Sequence, residues 1–551
     1  MNGFGPIDFA ILVVYLAAVT LFGIRAAGRQ TTGTDYFLGS RNMPWWAILF
    51  SVIATETSTL TFISIPAVAY TGNLTFLQLT FGYILGRVAV AIWLLPSYMD
   101  GQQQTVYQHL EQRFDGLTRR AAGAVFMLTR VLADGVRLFA TAIPLATLFR
   151  FAGVFPGWSD GTIYILAILI IALITLVYTF LGGIKAVIWM DVVQMGVYLG
   201  GALIALVLLI NAIPMSLQEM IAALQHAGGQ VASQAGQVAS QAGQAVSQAG
   251  QVASQAVQTT TNKLQLFDFG SDLSWSERLA SPYVLPVSIV GGALFSVASH
   301  GTDQLIVQRL MTAKDLTSSR KALVWSGFLA SLQFALFLCI GLMLYLFYTG
   351  ASADVLNLAT TDEIFARYIV DHMPVGLGGL IIAALMAAAM SSLSSSLNAL
   401  ASSTTYDFLK PRMGSDWTDQ QEIRMSRGVT LIWGVVLTLS AFLFTWLQLS
   451  SGERPAIVEL GLGIASYTYG GLLGLFLLAR FTEKPSGRDA RTGFFLGLMG
   501  LLFLVDGPIQ RLLPGDPLAI AWPLYTPVGA AIVVFVALIM SRISRGSQMK
   551  P

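Results

Sequence analysis

Apolar residues in this chain gather into long runs rather than into short alternating stretches. Runs long enough for the roughly 20 residues of a membrane helix fall at 7–26, 45–70, 74–98, 121–150, 162–181, 184–213, 282–308, 323–348, 374–404, 428–447, 455–480, 492–512 and 521–541. They predict an all-α polytopic membrane protein with thirteen transmembrane helices. The first run has no basic residue ahead of it and no small-residue cleavage site after it, so it reads as a retained helix. With the N-terminus outside, the inner connections hold 22 Arg and Lys, Arg309 among them, and the outer ones hold 6. The positive-inside rule then predicts an outside N-terminus and a cytoplasmic C-terminus, in a plasma (inner) membrane crossed many times.

Composition narrows the function classes. The chain is 55% hydrophobic and 11% charged, with a mean hydropathy of +0.68, where a soluble domain carries about a quarter of charged residues. The partner of so much apolar surface is the lipid bilayer, and a net charge of +2 gives no basic excess for a nucleic acid. Cys339 is the single cysteine, which excludes an internal disulfide and a cysteine-based zinc site. His109, His226 and His372 fall in connections or helix ends and only His300 lies in a run, so no histidine–metal cluster is expected. The long connection from 214 to 281 carries the heptad QVASQAG at 230–236 and 237–243, with variants at 244–250 and 251–257. Its Val/Ala stripe is weak and a Gly in most heptads costs about 1 kcal/mol each, which reads as a marginal surface helix or a spacer.

Polar residues inside the runs are the candidate chemistry. In the ninth run, Ser391, Ser394, Ser395 and Asn398 share one helical arc, with Ala388 and Ser392 on its flank and Ser396 apart from it. Oxygen-rich strips bind hard cations; small hydroxyl residues also pack helices together, each bonding a carbonyl one turn back. The second run is interrupted by Ser51-Val52-Ile53-Ala54-Thr55-Glu56-Thr57-Ser58-Thr59-Leu60-Thr61, a stretch suited to unwinding in mid-membrane, where free carbonyls ligate an ion. Ionisable groups within runs or at their ends are functional candidates by default, and here they are Glu56, Arg87, Arg130, Asp134, Arg137, Asp191, His300 and Asp303. No nucleophile–base pair or metal cluster accompanies them, so the chain is not expected to be an enzyme.

The segments Gly182-Gly183 with Trp189 and Asp191-Val192-Val193-Gln194, Thr302-Asp303-Gln304 with Val307-Gln308-Arg309, and the strip from Ala388 to Ser395 make the chain resemble the sodium:solute symporter family across roughly residues 5 to 545. The resemblance implies a leucine-transporter-type fold with a five-plus-five inverted repeat, spans 2–6 and 7–11. The chain would then divide into a first helix and loop (1–44), a first repeat (45–213), the heptad segment (214–281), a second repeat (282–480) and two further helices with a tail (481–551). It implies one sodium on the carbonyls of Ala54, Thr57 and Ala388 and the hydroxyls of Ser391 and Ser392, and a second on Asp191, Ser391, Ser394 and Ser395. It places the solute against Glu56, Ser58, Thr61, Phe76, Thr80, Asp134 or Arg137, Ser296, Ser299 and His300.

The function implied is sodium-coupled import of a small polar organic solute by alternating access, with one or two sodium ions as the only cofactor and a monomer sufficient. Glu56 stands where many members have a small polar residue, Met190 replaces a common Thr, and Thr80 stands where sugar carriers have a Glu. A standard hexose pocket is therefore not expected. A sugar or sugar derivative stays ahead of a small carboxylate or an amino acid. Arg137 is read either as a clamp for a carboxylate or as the partner that neutralises Glu56. A solute sensor or a channel is the competing class, although the short tail after the last run predicts no signalling domain.

Overall fold

The computed structural model describes residues 5–26, 28, 30–100, 103–151, 155, 157–227, 262–356, 358, 361–413, 417–451, 457–505 and 518–548. The heptads at 230–257 lie outside the described residues. Among these residues the protein is built of helices and has no strand beyond two isolated bridges.

The helices that carry the apolar runs are α1 (Pro6–Ala26), α2 (Trp45–Glu56), α3 (Thr59–Thr71), α4 (Leu77–Trp93), α5 (Gly116–Phe151), α6 (Asp160–Ala212), α7 (Leu285–Gly301), α8 (Gln304–Leu310), α9 (Leu316–Phe347), α10 (Leu377–Ser403), α11 (Asp419–Ser451), α12 (Ile457–Phe481), α13 (Gly487–Leu504) and α14 (Tyr525–Gln548). Each of the expected runs falls on one of these or on a consecutive pair. By length and apolarity, seven helices of the described chain are able to cross a membrane, or eight when the bent pair α2 and α3 counts as one. Helix α6 has 53 residues, about 80 Å at 1.5 Å per residue, far more than a hydrocarbon core of about 30 Å. It breaks at Gly183, where φ is 55° and ψ is −156°. A side chain there would meet the Tyr36 carbonyl at 2.4 Å, so the turn between two runs requires glycine.

Two interruptions place the polar residues. Helix α2 ends at Glu56, Thr57 and Ser58 are extended, and the chain resumes as α3 at an angle of 62°. Helix α7 likewise stops at Gly301, and the side chain of Asp303 caps the short α8 by accepting from the Leu305 amide at 2.8 Å. Both breaks face α10, whose residues from Ile381 to Ser403 are all buried. A membrane helix without a lipid-facing side has no reason to be apolar all round, and this is why the serine strip is tolerated here.

Small residues bring α4 against α7: a Cβ added at Gly82 would lie 2.6 Å from the Ile289 carbonyl, and one at Gly86 2.3 Å from that of Ala293. After the heptad segment, Lys263 caps the end of α3, donating to the carbonyls of Tyr70 at 2.7 Å and Gly72 at 3.0 Å, with its ammonium 4.1 Å from the Tyr345 ring centre.

Candidate ion and solute site

The break in α2 loosens a set of carbonyls. Thr57 still donates its amide to Ile53 at 2.8 Å, but the Ser58 amide turns to the Thr61 hydroxyl at 3.4 Å instead of closing the next helical bond. The last-turn carbonyls, that of Ala54 among them, are thus left beyond the helical ladder. Across from them, Ser392 donates its hydroxyl to the Thr57 carbonyl at 3.3 Å. Ala54, Thr57, Ala388 and Ser391 line one small cavity together with Gln194, Met195 and Tyr198. All five residues expected to hold the first sodium are therefore brought to one place between α2 and α10.

Asp191 lies one step deeper and is fully buried, as is Arg309. Its carboxylate accepts from Ser391 at 2.6 Å and from Ser51 at 2.5 Å, and Arg309 stands 3.5 Å away. Arg309 also donates to Ser51 at 2.9 Å, to the Leu305 carbonyl at 2.7 Å and to the Ser395 hydroxyl. Ser394 and Ser395 both donate to the Ser391 carbonyl, at 3.0 and 2.6 Å. Asp191 and Ser391 are thus in direct contact, while Ser395 reaches the carboxylate only through Arg309. Arg309, counted from the sequence with the inner connections, is instead buried: α8 carries it into the core beside a carboxylate. Ser51 and Arg309 are the partners that sequence reasoning missed. Asp303 was the available signal, because a capping acid there starts a new helix and turns the residue two turns on toward α2.

A large cavity opens between α3, α4, α5 and α7, with about 1030 Å3 of empty space when the open solvent at its mouth is included. Glu56, Ser58, Thr61, Phe76, Arg137, Ser296, Ser299 and His300 line it, with Tyr83, Phe295 and Phe334 among the added aromatic residues. Two of the expected solute residues are placed elsewhere. Thr80 is buried and donates to the Leu77 carbonyl at 2.8 Å, and Asp134 lines a neighbouring cavity with Arg137, Thr141 and Ser392.

Glu56 does not pair with Arg137. Both its oxygens accept from Arg87, at 2.5 and 2.6 Å, and His300 Nε2 lies against one of them. Arg87 is the residue the sequence marked as ionisable without saying which acid it meets. Arg137 is left with Asp134 at 3.5 Å and is 24% exposed, whereas Asp134 is 3% exposed and shared with Arg130 at 3.8 Å. Arg130 in turn lies 3.6 Å from Asp303, which accepts from Tyr469 at 2.6 Å. Arg130 and Arg137 both line the cavity, and Asp134, the acid beside Arg137, is buried behind it.

The family model "Sodium:solute symporter family" matches residues 36–497. The sodium/sialic acid symporter SiaT of Proteus mirabilis is 28% identical over 502 residues, covering 91% of this chain and 90% of the relative. The sodium/sialic acid symporter NanT of Aliivibrio fischeri is 29% identical over 503 residues, covering 91% and 88%. A solved Na+-coupled sialic acid symporter, in a substrate-bound outward-open state described as revealing a novel Na+-site, superposes with a TM-score of 0.77 at 27% identity, covering 98% of each chain. The fold is all-helical and leucine-transporter-like, the ion is sodium and the activity is transport rather than catalysis. This chain belongs to the sodium:solute symporter family.

Proposed function

We propose that the protein imports a sugar acid of the sialic acid class by sodium-coupled symport. One observation carries the solute reading: with Glu56 occupied by Arg87, Arg137 lines the large cavity, and among the described residues its side chain has one partner, Asp134 at 3.5 Å. A planar guanidinium clamps a carboxylate with two parallel hydrogen bonds, stronger than neutral ones. Relatives that are sodium/sialic acid symporters support the same class.

Sodium binds the carbonyls of Ala54, Thr57 and Ala388 and the hydroxyls of Ser391 and Ser392, and so ties α2 to α10. Neutral oxygens suit a monovalent ion, where a dication usually draws carboxylates. A second sodium binds at Asp191, Ser391, Ser394 and Ser395, displacing Arg309 from the carboxylate. The repeats 45–213 and 282–480 each begin with an interrupted helix, and alternating access follows when sodium favours one arrangement of the repeats over the other. Each sodium ion moving down about 100 mV supplies about 2.3 kcal/mol, roughly 50-fold in accumulation.

The test is uptake of labelled N-acetylneuraminate into proteoliposomes carrying the full chain. An inward sodium gradient drives uptake in the unaltered protein. Arg137→Ala weakens half-saturation by about 10- to 100-fold, the value of a charge-assisted bond. Uptake unaffected by this substitution removes the solute assignment. A flux ratio of one sodium per solute, with Asp191→Asn fully active, removes the second ion.

A further inference from the structure

The cavity has a second pole, opposite in character to Arg137. Glu56 is 23% exposed, whereas Arg87 and His300 beside it are 1% and 4% exposed, so the carboxylate alone of these three reaches well into the open space. A carboxylate has about four acceptor positions. Arg87 takes one on each oxygen and His300 crowds Oε1, which leaves Oε2 with acceptor capacity. Arg87 is held from behind by donating to Ser326 at 2.8 Å, and the His300 ring by Ser299 and the Ser296 carbonyl, 2.8 and 3.1 Å from Nδ1. Phe76, Phe295 and Phe334 give the same cavity an aromatic wall.

We infer that Glu56, with its charge cancelled by Arg87 and its orientation held by His300, is a subsite for the uncharged end of the solute, accepting a hydroxyl or amide N–H. Glu56 would touch the solute; Arg87 and His300 are positioning residues. The inference rests on the solute class proposed above and adds its charge pattern: one carboxylate for Arg137 and neutral donors for Glu56. A second carboxylate would sit against the oxygens of Glu56, and like charges at such range are strongly unfavourable in a poorly solvated site. A free ammonium gains little, because the pair it approaches is already neutral. Without Arg87, Glu56 would present a full negative charge, and the preference would turn toward ammonium-bearing solutes.

The experiment is equilibrium binding to the purified full chain in sodium, with N-acetylneuraminate, gluconate (one carboxylate), glucarate (two) and glucosaminate (one carboxylate and one ammonium) as probes. The unaltered protein binds gluconate at least about tenfold more tightly than glucarate, a difference of about 1.4 kcal/mol. Arg87→Gln weakens gluconate by about tenfold or more and moves the preference to glucosaminate. Glu56→Gln with Arg87→Gln, which removes both charges, brings gluconate back to within about threefold of the unaltered protein. A merely structural Arg87 would leave the double variant as impaired as the single one, and that result overturns the inference, as does equal binding of gluconate and glucarate. If the gluconate pattern holds while N-acetylneuraminate fails to bind, the sialic acid reading falls and the subsite stands. Sodium-dependent binding of none of the four overturns both.

Discussion

At the scale of single residues, the ion site is a matter of which oxygens have no other work. Ser392 spends its hydroxyl on the Thr57 carbonyl at 3.3 Å, a long bond that a cation between the two oxygens would replace. Ser392→Ala is expected to raise the sodium concentration for half-maximal uptake by about tenfold, in line with the loss of one charge-assisted contact; an unchanged sodium dependence removes it as a ligand. Asp191→Asn has a different cost, because it leaves Arg309 buried without its acid. Such an uncompensated charge destabilises by about 3–5 kcal/mol, read as a lower unfolding midpoint that Asp191→Asn with Arg309→Gln partly restores. The residues expected at the first sodium site came from the family resemblance; helical spacing by itself put Ala388 and Ser392 on the flank of the arc that holds Ser391, and the polar stretch from Ser51 to Thr61 marked the break at Ala54 and Thr57. Arg87 with Glu56, and Arg309 with Asp191, were not legible: these pairs join residues 31 and 118 positions apart, and no local pattern encodes which distant charge a buried acid will meet.

Among the helices, the packing of α4 on α7 controls the shape of the large cavity, since Ser296 both lines it and touches the space above Gly86. A methyl group at Gly86 would come within 2.6 Å of the Ser296 Cβ and 2.3 Å of the Ala293 carbonyl. Gly86→Ala should therefore lower stability by about 1–3 kcal/mol, as overpacking does, and weaken solute binding at the same time, measured together by thermal unfolding with and without ligand. The positions of the helices were readable from apolar runs alone, because lipid demands a continuous span from each. Their breaks were readable in part. Polar, β-branched residues marked the one at Thr57, and Gly182-Gly183 marked the turn that divides α6. The stop at Gly301 was missed because the run was drawn through to 308, across the polar residues Ser299, His300, Thr302, Asp303 and Gln304 that flank it.

For the whole molecule, the reading as a carrier predicts a behaviour that a channel lacks. Preloading proteoliposomes with unlabelled solute should accelerate entry of label in sodium, and replacing sodium by choline should abolish that exchange; a rate indifferent to preload would point to an open pore. The heptad segment enters the folded body through Lys263 at the end of α3. Exchanging 230–257 for a short Gly/Ser linker is therefore expected to leave half-saturation within about twofold, provided Lys263 is kept. One feature of the core sets a limit on the energetics of the cycle. Arg309 is a cation that the chain itself carries to Asp191, so a sodium ion at the proposed second site would meet a tethered rival, present at an effective concentration of millimolar or more and unable to diffuse away. Occupancy of that proposed site would be an exchange of one positive charge for another rather than a filling of free space. The guanidinium would then be a built-in reference against which sodium at that proposed site is weighed.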